Sequence, residues 1–501
     1  MHLIGLDIGT TSCKAVLFDE NGSLTYKASR EYVVDFPHPG WAEQDIEAVW
    51  ALVQESLREV IVRSGIKRIA ALSISAHGEA VTPVDQDGRA LRPTILGMDT
   101  RTGEQNRWLV EHLGAEYLFE TTGMPMHTIN TLPKLLWLKQ YEPGVWKHTS
   151  CFLLVEDFLI QKMTGKAMVS QCLASRTQLY DLRTNAWSEK ILQAIGLDPA
   201  KLSAIKPSGS VVERMKPELA ASLGFEHPPL VVTGGHDQAC GALGVGLTSP
   251  GLAMVSTGTA EVVEVVLPSP SVNRTLFDGN ISIYRHVVRG LFLAMTLNHS
   301  GGMCLRWFRD NFCEMEISRA QASGRDAYDL LLQGATPNPT NLLVLPHFSG
   351  SGTPTFDTAS KAAILGLTFA TRRADLAKAI LEGLTFELRL NLDLLKAGGV
   401  QIDELRAIGG GAKSPMWLQI KADITGIPVV APAITEAAGL GAAILAGTGA
   451  GIYDSPVDAA QRFLHLSNPC RADPTRLQEY NRRFELYRQV YPAVLPITHQ
   501  L

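Results

Sequence analysis

Asp7 closes a short apolar run that begins at Met1, and Gly9, Thr10, Thr11, Ser12, Cys13 and Lys14 follow it. A turn of this make-up offers backbone N–H groups and hydroxyls to an anion, and its carboxylate can hold Mg²⁺ directly or through water. Lys14 adds a cation beside it. The same ingredients recur at Ser256-Thr257-Gly258-Thr259. A third turn, Gly409-Gly410-Gly411-Ala412, separates a short strand from the helical stretch Pro415 to Thr425. Three successive glycines let a flat ring approach the backbone. The first turn alone is also compatible with a hairpin whose hydroxyls satisfy their own backbone, and the third with a strand-to-helix turn that needs only one glycine. Two matched turns could clamp a nucleotide from both sides of a cleft. Neither G-x-x-x-x-G-K-[ST] nor G-x-G-x-x-G is present at these turns.

Transfer of a phosphoryl group to an alcohol needs in-line positioning, charge neutralisation and one proton acceptor. Asp237 is the candidate acceptor. It follows the apolar strand Pro229 to Thr233 and two glycines, and precedes a small-residue helix, Ala239 to Val245. It could equally be the N-cap of that helix. His236 beside it reads as structural. His77 and Glu79 follow the strand Ile69 to Ser75; His77 reads as a substrate contact or a satisfied structural histidine, and Glu79 as a substrate contact or a solvated loop acid. Cys13 reads as an inert buried thiol, and Trp41 and Trp307 as packing residues.

These residues need a scaffold, and the patterning suggests one. The chain opens strand, turn, strand (Lys14 to Phe18), a hairpin turn at Asp19–Gly22, and a third strand, Leu24 to Val34. Apolar residues at helical spacing predict a helix over Ile46 to Val62. The order recurs from Leu252 to Ser256, through Glu261 to Leu267, Ile281 to His286 and Leu291 to Met295, to a long helix over Ala374 to Ala397. This is an α/β chain of two duplicated domains, expected at 1–246 and 247–501, with the boundary where small residues and Pro250 cluster.

With 501 residues, 46% hydrophobic and 19% charged, the chain reads as ordered and multi-domain. A net charge of -5 argues against a nucleic-acid footprint. Seven scattered cysteines without a C-x-x-C pair carry no zinc signature and fit a reducing compartment. Val429 to Gly447 is weakly polar but reads as strand, turn and buried helix rather than a membrane span. No basic segment precedes the first apolar run, so the cytoplasm is the expected location.

Taken as an ordered set, these motifs resemble the FGGY carbohydrate kinases of the actin, Hsp70 and sugar-kinase superfamily over essentially the whole length. The matching segments are GLDIGTTSCKAVLFD, PGWAEQD at 39–45, MDTR at 98–101, GGHDQACGALG at 234–244, STGT at 256–259, SGG at 300–302, LEGLTFEL at 381–388, GGGAKSP at 409–415 and EAAGLGAA at 436–443. The resemblance is greatest to xylulokinases and their near relatives. It implies two actin-like (ribonuclease H-like) ATPase domains with an interdomain cleft, and ATP and Mg²⁺ as cofactors. By resemblance, Asp7 and Asp237 associate with the metal through water. Thr10, Thr11 and Lys14 form one phosphate loop; Thr257, Gly258 and Thr259 form the other, with Gly302 beside it. Gly410, Gly411 and Ala412 contact adenosine. Asp237 is the catalytic base, and His77, Glu79, Asp99, Arg101 and Asp237 meet the sugar.

Departures fall at the acceptor. Xylulokinases usually carry Met-His-Gly where this chain has Gly78-Glu79-Ala80, and Gly97-Met98-Asp99 stands where relatives carry Trp-Asn-Asp or Trp-Gln-Asp. The family's Gly-Glu-Arg-Thr-Pro run reads Gly350-Ser351-Gly352-Thr353-Pro354 here. The expected activity is ATP-dependent phosphorylation of a small sugar or polyol, a xylulose-like ketose favoured. Gluconate, glycerol, ribulose or a tetritol, and an actin- or Hsp70-type ATPase, stand as alternatives. The expected partner is a small molecule, with neither nucleic acid nor membrane; a homodimer stays open.

Overall fold

Hydrophobic periodicity decides the elements, and the sheets decide which of them meet. The computed structural model describes residues 1–501. Strand β1 (His2–Ile8) turns into β2 (Ser12–Asp19) and β3 (Leu24–Glu31), all antiparallel neighbours. Helix α1 (Ile46–Ser64) follows, capped by the Asp45 carboxylate on the Glu47 and Ala48 N–H groups and ended by Gly65 at φ 71°. Strands β4 (Ala71–Ala76), β5 (Val211–Arg214) and β6 (Leu230–His236) complete a sheet of order β5-β6-β4-β1-β2-β3. Helix α2 (Asp237–Gly244) leaves β6 directly.

The second half repeats the plan. Strands β7 (Gly251–Thr257), β8 (Glu261–Leu267), β9 (Ser282–Arg285) and β10 (Phe292–Asn298) come first. Helices α3 (Gly302–Phe312) and α4 (Arg373–Ala397) follow. Strand β11 (Ile402–Gly409), helix α5 (Pro415–Thr425), strand β12 (Val429–Val430) and helix α6 (Ala437–Gly449) end the repeat. The sheet order is β9-β10-β8-β7-β11-β12. In both halves a three-stranded antiparallel meander adjoins two strands that run parallel to its first. The halves differ in where an extra strand sits: β5 lies beyond the parallel strands of the first, β9 beyond the meander of the second.

Helices α2 and α6 join the halves. Helix α6 lies against β1, β4 and β6 of the first sheet, and against α2. Contact is this close because both helices carry glycine: a Cβ on Gly441 would stand 1.9 Å from the Cys240 carbonyl oxygen, and one on Gly244 2.0 Å from that of Ala437. One buried cluster then runs from Leu3, Val16 and Val232 in the first sheet to Met254, Val266 and Leu293 in the second. No helix is long and apolar enough to cross a membrane.

Candidate active site

Strands β1, β4 and β6 are parallel neighbours, with Asp7 opposite Ser75 and Ala76 opposite both Ile8 and His236. Their carboxyl ends therefore bring Asp7, the His77–Glu79 turn and Asp237 to one edge of the sheet, where open α/β sheets bind ligands. Asp7 Oδ1 accepts a hydrogen bond from Ser75 Oγ at 3.2 Å, and Lys14 Nζ stands 3.6 Å from Oδ2. Burial raises the Asp7 pKa, opposed by the Lys14 charge. Strand β6 bulges against β4 between Val232 and Gly235, and a Cβ on Gly234 would lie 1.8 Å from the Ile74 carbonyl oxygen. That bulge sets where the strand ends.

Asp237 is the first residue of α2, so the N-cap position falls to His236, which makes no side-chain cap. The alternative reading of Asp237 as a cap is thereby replaced: its Oδ1 accepts from the adjacent Gln238 N–H at 2.6 Å and lies 3.2 Å from His236 Nε2. Its side chain keeps 26% exposure. Burial, reinforced by the Asp7 and Glu79 charges, pushes its pKa up to about 7. A carboxylate poised near neutrality on an open edge suits proton abstraction.

Glu79 is held more firmly than a solvated loop acid. It is buried, with φ 63°, and its Oε1 accepts from Arg176 Nε at 2.6 Å. Thr131 Oγ1 and Lys134 Nζ both donate to its backbone carbonyl at 3.0 Å. Burial lowers the Lys134 pKa to about 7. Arg176 eluded the sequence reading, because one arginine in Ser175-Arg176-Thr177-Gln178 carries no periodic signal. Its guanidinium lies 4.7 Å above the Tyr284 ring. His77 is buried and kept neutral, its pKa lowered to about 4 by burial, and its Nε2 has no partner.

Asp99 and Arg101, expected at the sugar, are engaged elsewhere. Asp99 is fully buried; it accepts from the Ala42 N–H at 2.6 Å and the Arg101 N–H at 2.9 Å, and pairs with the Arg101 guanidinium at 2.7 Å. Arg101 also pairs with Glu43 at 2.7 Å and stacks 3.6 Å from the Trp41 ring. The pair ties residues 41–43 to 99–101, with both Asp99 oxygens engaged within the protein. Cys13 and Trp41 are packing groups, as read.

The second and third turns meet because β7 and β11 are parallel neighbours, with Thr257 opposite Gly409. They frame a cavity of about 370 Å³, lined among others by Thr257, Gly258, Thr259, Gly302, Gly410 and Gly411. Trp417, Arg306 and Lys413 also line it, which the sequence reading had not singled out. Ala412 does not line it but packs against the second-half core. Two of the three glycines answer to packing: Cβ atoms on Gly409 and Gly411 would stand 2.5 and 2.9 Å from Thr257. Gly258 has nothing within 4 Å of its Cβ position, and Gly410 nothing nearer than 4.0 Å, so both are open to a ligand. The Thr257 hydroxyl donates to Glu261 Oε2 at 2.7 Å, and that buried acid also pairs with Lys421. Every lining residue belongs to the second half; Thr10, Thr11 and Lys14 stand on the first. No group of three or more His, Cys, Asp or Glu side chains is placed to hold a metal ion.

Residues 2–244 match the N-terminal domain of the FGGY family of carbohydrate kinases, and residues 253–450 match its C-terminal domain. A xylulose kinase of Bacillus subtilis is 31% identical over 98% of this chain and 96% of the relative. A gluconokinase of the same organism is 29% identical over 91% and 88%. The crystal structure of xylulose kinase from Rhodospirillum rubrum superimposes with a TM-score of 0.89 at 25% identity, over all of both chains. Kinases of this family use ATP as phosphate donor. The strand-end carboxylates, the glycine-floored cavity and the two matched domains agree: the chain is a carbohydrate kinase and belongs to the FGGY family.

Proposed function

We propose that the protein transfers the γ-phosphoryl group of ATP to a hydroxyl of a small neutral sugar or polyol, with a xylulose-like ketose the favoured acceptor. The observation that carries this reading is Asp237, a carboxylate 26% exposed at the end of β6, on the sheet edge that also brings Asp7 and the His77–Glu79 turn together, with its pKa raised by burial. It accepts the proton of the attacking hydroxyl. Thr10, Thr11 and Lys14 on one side, and Gly258 and Thr259 on the other, hold the phosphates, while Gly410 and Gly411 lie along the adenosine. Asp7 and Asp237 would hold Mg²⁺ through water, where the ion neutralises phosphate charge. In this reading the first domain spans 1–246 and the second 247–501. The enzyme works in the cytoplasm on a free small molecule, and a homodimer is compatible with it.

Charge favours a neutral acceptor. Asp7, Glu79 and Asp237 act on this region, against Arg176 and Lys134. A carboxylate-bearing acceptor such as gluconate meets that acidic surround unfavourably. The gluconokinase relative keeps aldonates as the second reading. A coupled ADP-release screen over ketopentoses, aldonates, polyols and tetritols tests both. The expected result is the highest kcat/KM for a ketopentose. Full ATP turnover with no acceptor present would overturn the proposal.

A further inference from the structure

Strand β9 is the one strand of the second sheet without a counterpart in the first, and it carries Tyr284. The Tyr284 hydroxyl lies 2.7 Å from Glu264 Oε1 on β8 and 3.3 Å from His236 Nδ1. His236 Nε2 in turn lies 3.2 Å from Asp237 Oδ1. Three contacts therefore join two buried side chains of the second domain to the acid of the first. The Tyr284 ring meets His236 edge-on, at 90° with centroids 5.5 Å apart. Its face supports the Arg176 guanidinium, which holds Glu79. A side chain also packs closely at this point: a Cβ on Gly235 would stand 2.4 Å from Cγ1 of Val287, just past β9.

We infer that Tyr284 and Glu264 are positioning residues for Asp237, acting through His236, so that the base is aligned only while the second sheet is seated against the first. The inference rests on Asp237 being the base. Donor order supports it. Burial pushes the Glu264 carboxyl up to about 8, against the Tyr284 hydrogen bond and the Arg176 charge and with the Asp237 and Glu79 charges. With Glu264 ionised, the Tyr284 hydroxyl donates to its Oε1; with Glu264 protonated, the order reverses and the carboxyl donates to the Tyr284 hydroxyl. In the latter order that hydroxyl turns its hydrogen to His236 Nδ1. His236 is left with its proton on Nε2, facing the Asp237 carboxylate. An imidazole fixed in one tautomer by a partner on its far nitrogen is a directional donor. Neither Tyr284 nor Glu264 touches the acceptor in this scheme.

Four variants test this in the full chain, with kcat, acceptor KM, ATP KM and melting temperature measured on each. Tyr284→Phe and Glu264→Leu break the chain of hydrogen bonds; kcat is expected to fall about 10- to 100-fold with ATP KM within about twofold of wild type. Glu264→Gln keeps an N–H donor toward Tyr284 and should retain at least about half of kcat. A role in packing alone predicts no such split between kcat and KM and no rescue by glutamine. Tyr284→Phe within about threefold of wild-type kcat, or Glu264→Gln as slow as Glu264→Leu, would overturn the inference. If Tyr284→Phe fails to fold, the glutamine–leucine comparison decides alone. Asp237→Asn separates the two levels. If it stays active, the base assignment fails; if it is inactive while Tyr284→Phe is normal, only the positioning inference does.

Discussion

Lys14 and Glu436 stand 422 residues apart in the chain and 3.1 Å apart in space. Glu436 precedes α6 and also accepts from Lys27 at 2.8 Å, so an acid of the second half holds the lysine of the first phosphate loop. Burial works against both charges. Even so, Asp7 and Glu436 raise the Lys14 pKa, and Lys27 and Lys14 hold Glu436 below the usual carboxylate range. Glu436→Gln should therefore cost about 1–2 kcal/mol, a modest figure because both lysines are partly exposed. A lowered carboxyl pKa stabilises above its unfolded value and loses that stability as pH falls through the folded one. The melting-temperature gap between wild type and variant should persist at pH 7 and close below about pH 4. A gap independent of pH would exclude the ion pair as its cause.

Asp237→Asn should lower kcat by about 10²–10⁴-fold and leave folding intact. The stability sign runs opposite to that of Glu436. A carboxyl raised to about 7 stabilises the fold below its unfolded pKa, and that contribution disappears as pH rises through 7. The variant should thus melt no earlier than wild type at pH 8, with the difference shrinking toward pH 4. In the wild type, the acid limb of the kcat/KM profile should fall near pH 7.

Gly410 and Gly411 are adjacent and should respond oppositely. Gly410→Val adds a side chain to the open cavity floor, so ATP KM should rise at least about tenfold with little change in melting temperature. Gly411→Ala pushes a methyl against Thr257, 2.9 Å away, and should cost about 1–3 kcal/mol. Calorimetry and ATP titration on the pair would show the reverse pattern if the cavity were not the nucleotide site.

Glu79→Ala cannot be read as a simple binding change, contrary to what the sequence suggested. It strands the buried Arg176 cation and should cost about 3–5 kcal/mol. Glu79→Gln keeps an oxygen for Arg176 and should fold, while raising acceptor KM with ATP KM unchanged. Normal acceptor kinetics in Glu79→Gln would assign the residue to structure alone.

Local sequence carried the elements that depend on short range. Strand β8 and helix α5 fall on the residues expected from the sequence, and α1 differs from its expected span only at its end. The three turns were legible because glycine and hydroxyl clusters report backbone conformation directly. The candidate base came from the family resemblance, because its place between a strand and a small-residue helix fitted an N-cap equally well. Partner choice was not legible, since it depends on contacts far apart in the chain. Asp99 and Glu79 are both acids on loops, yet one is closed by Arg101 and Ala42 and the other by Arg176. Glu264 sits in a strand with valines on either side, and only the packing of β9 brings Tyr284 between it and His236. Burial sets the proton affinity of each of these groups, and burial exists only once both sheets have closed around α2 and α6.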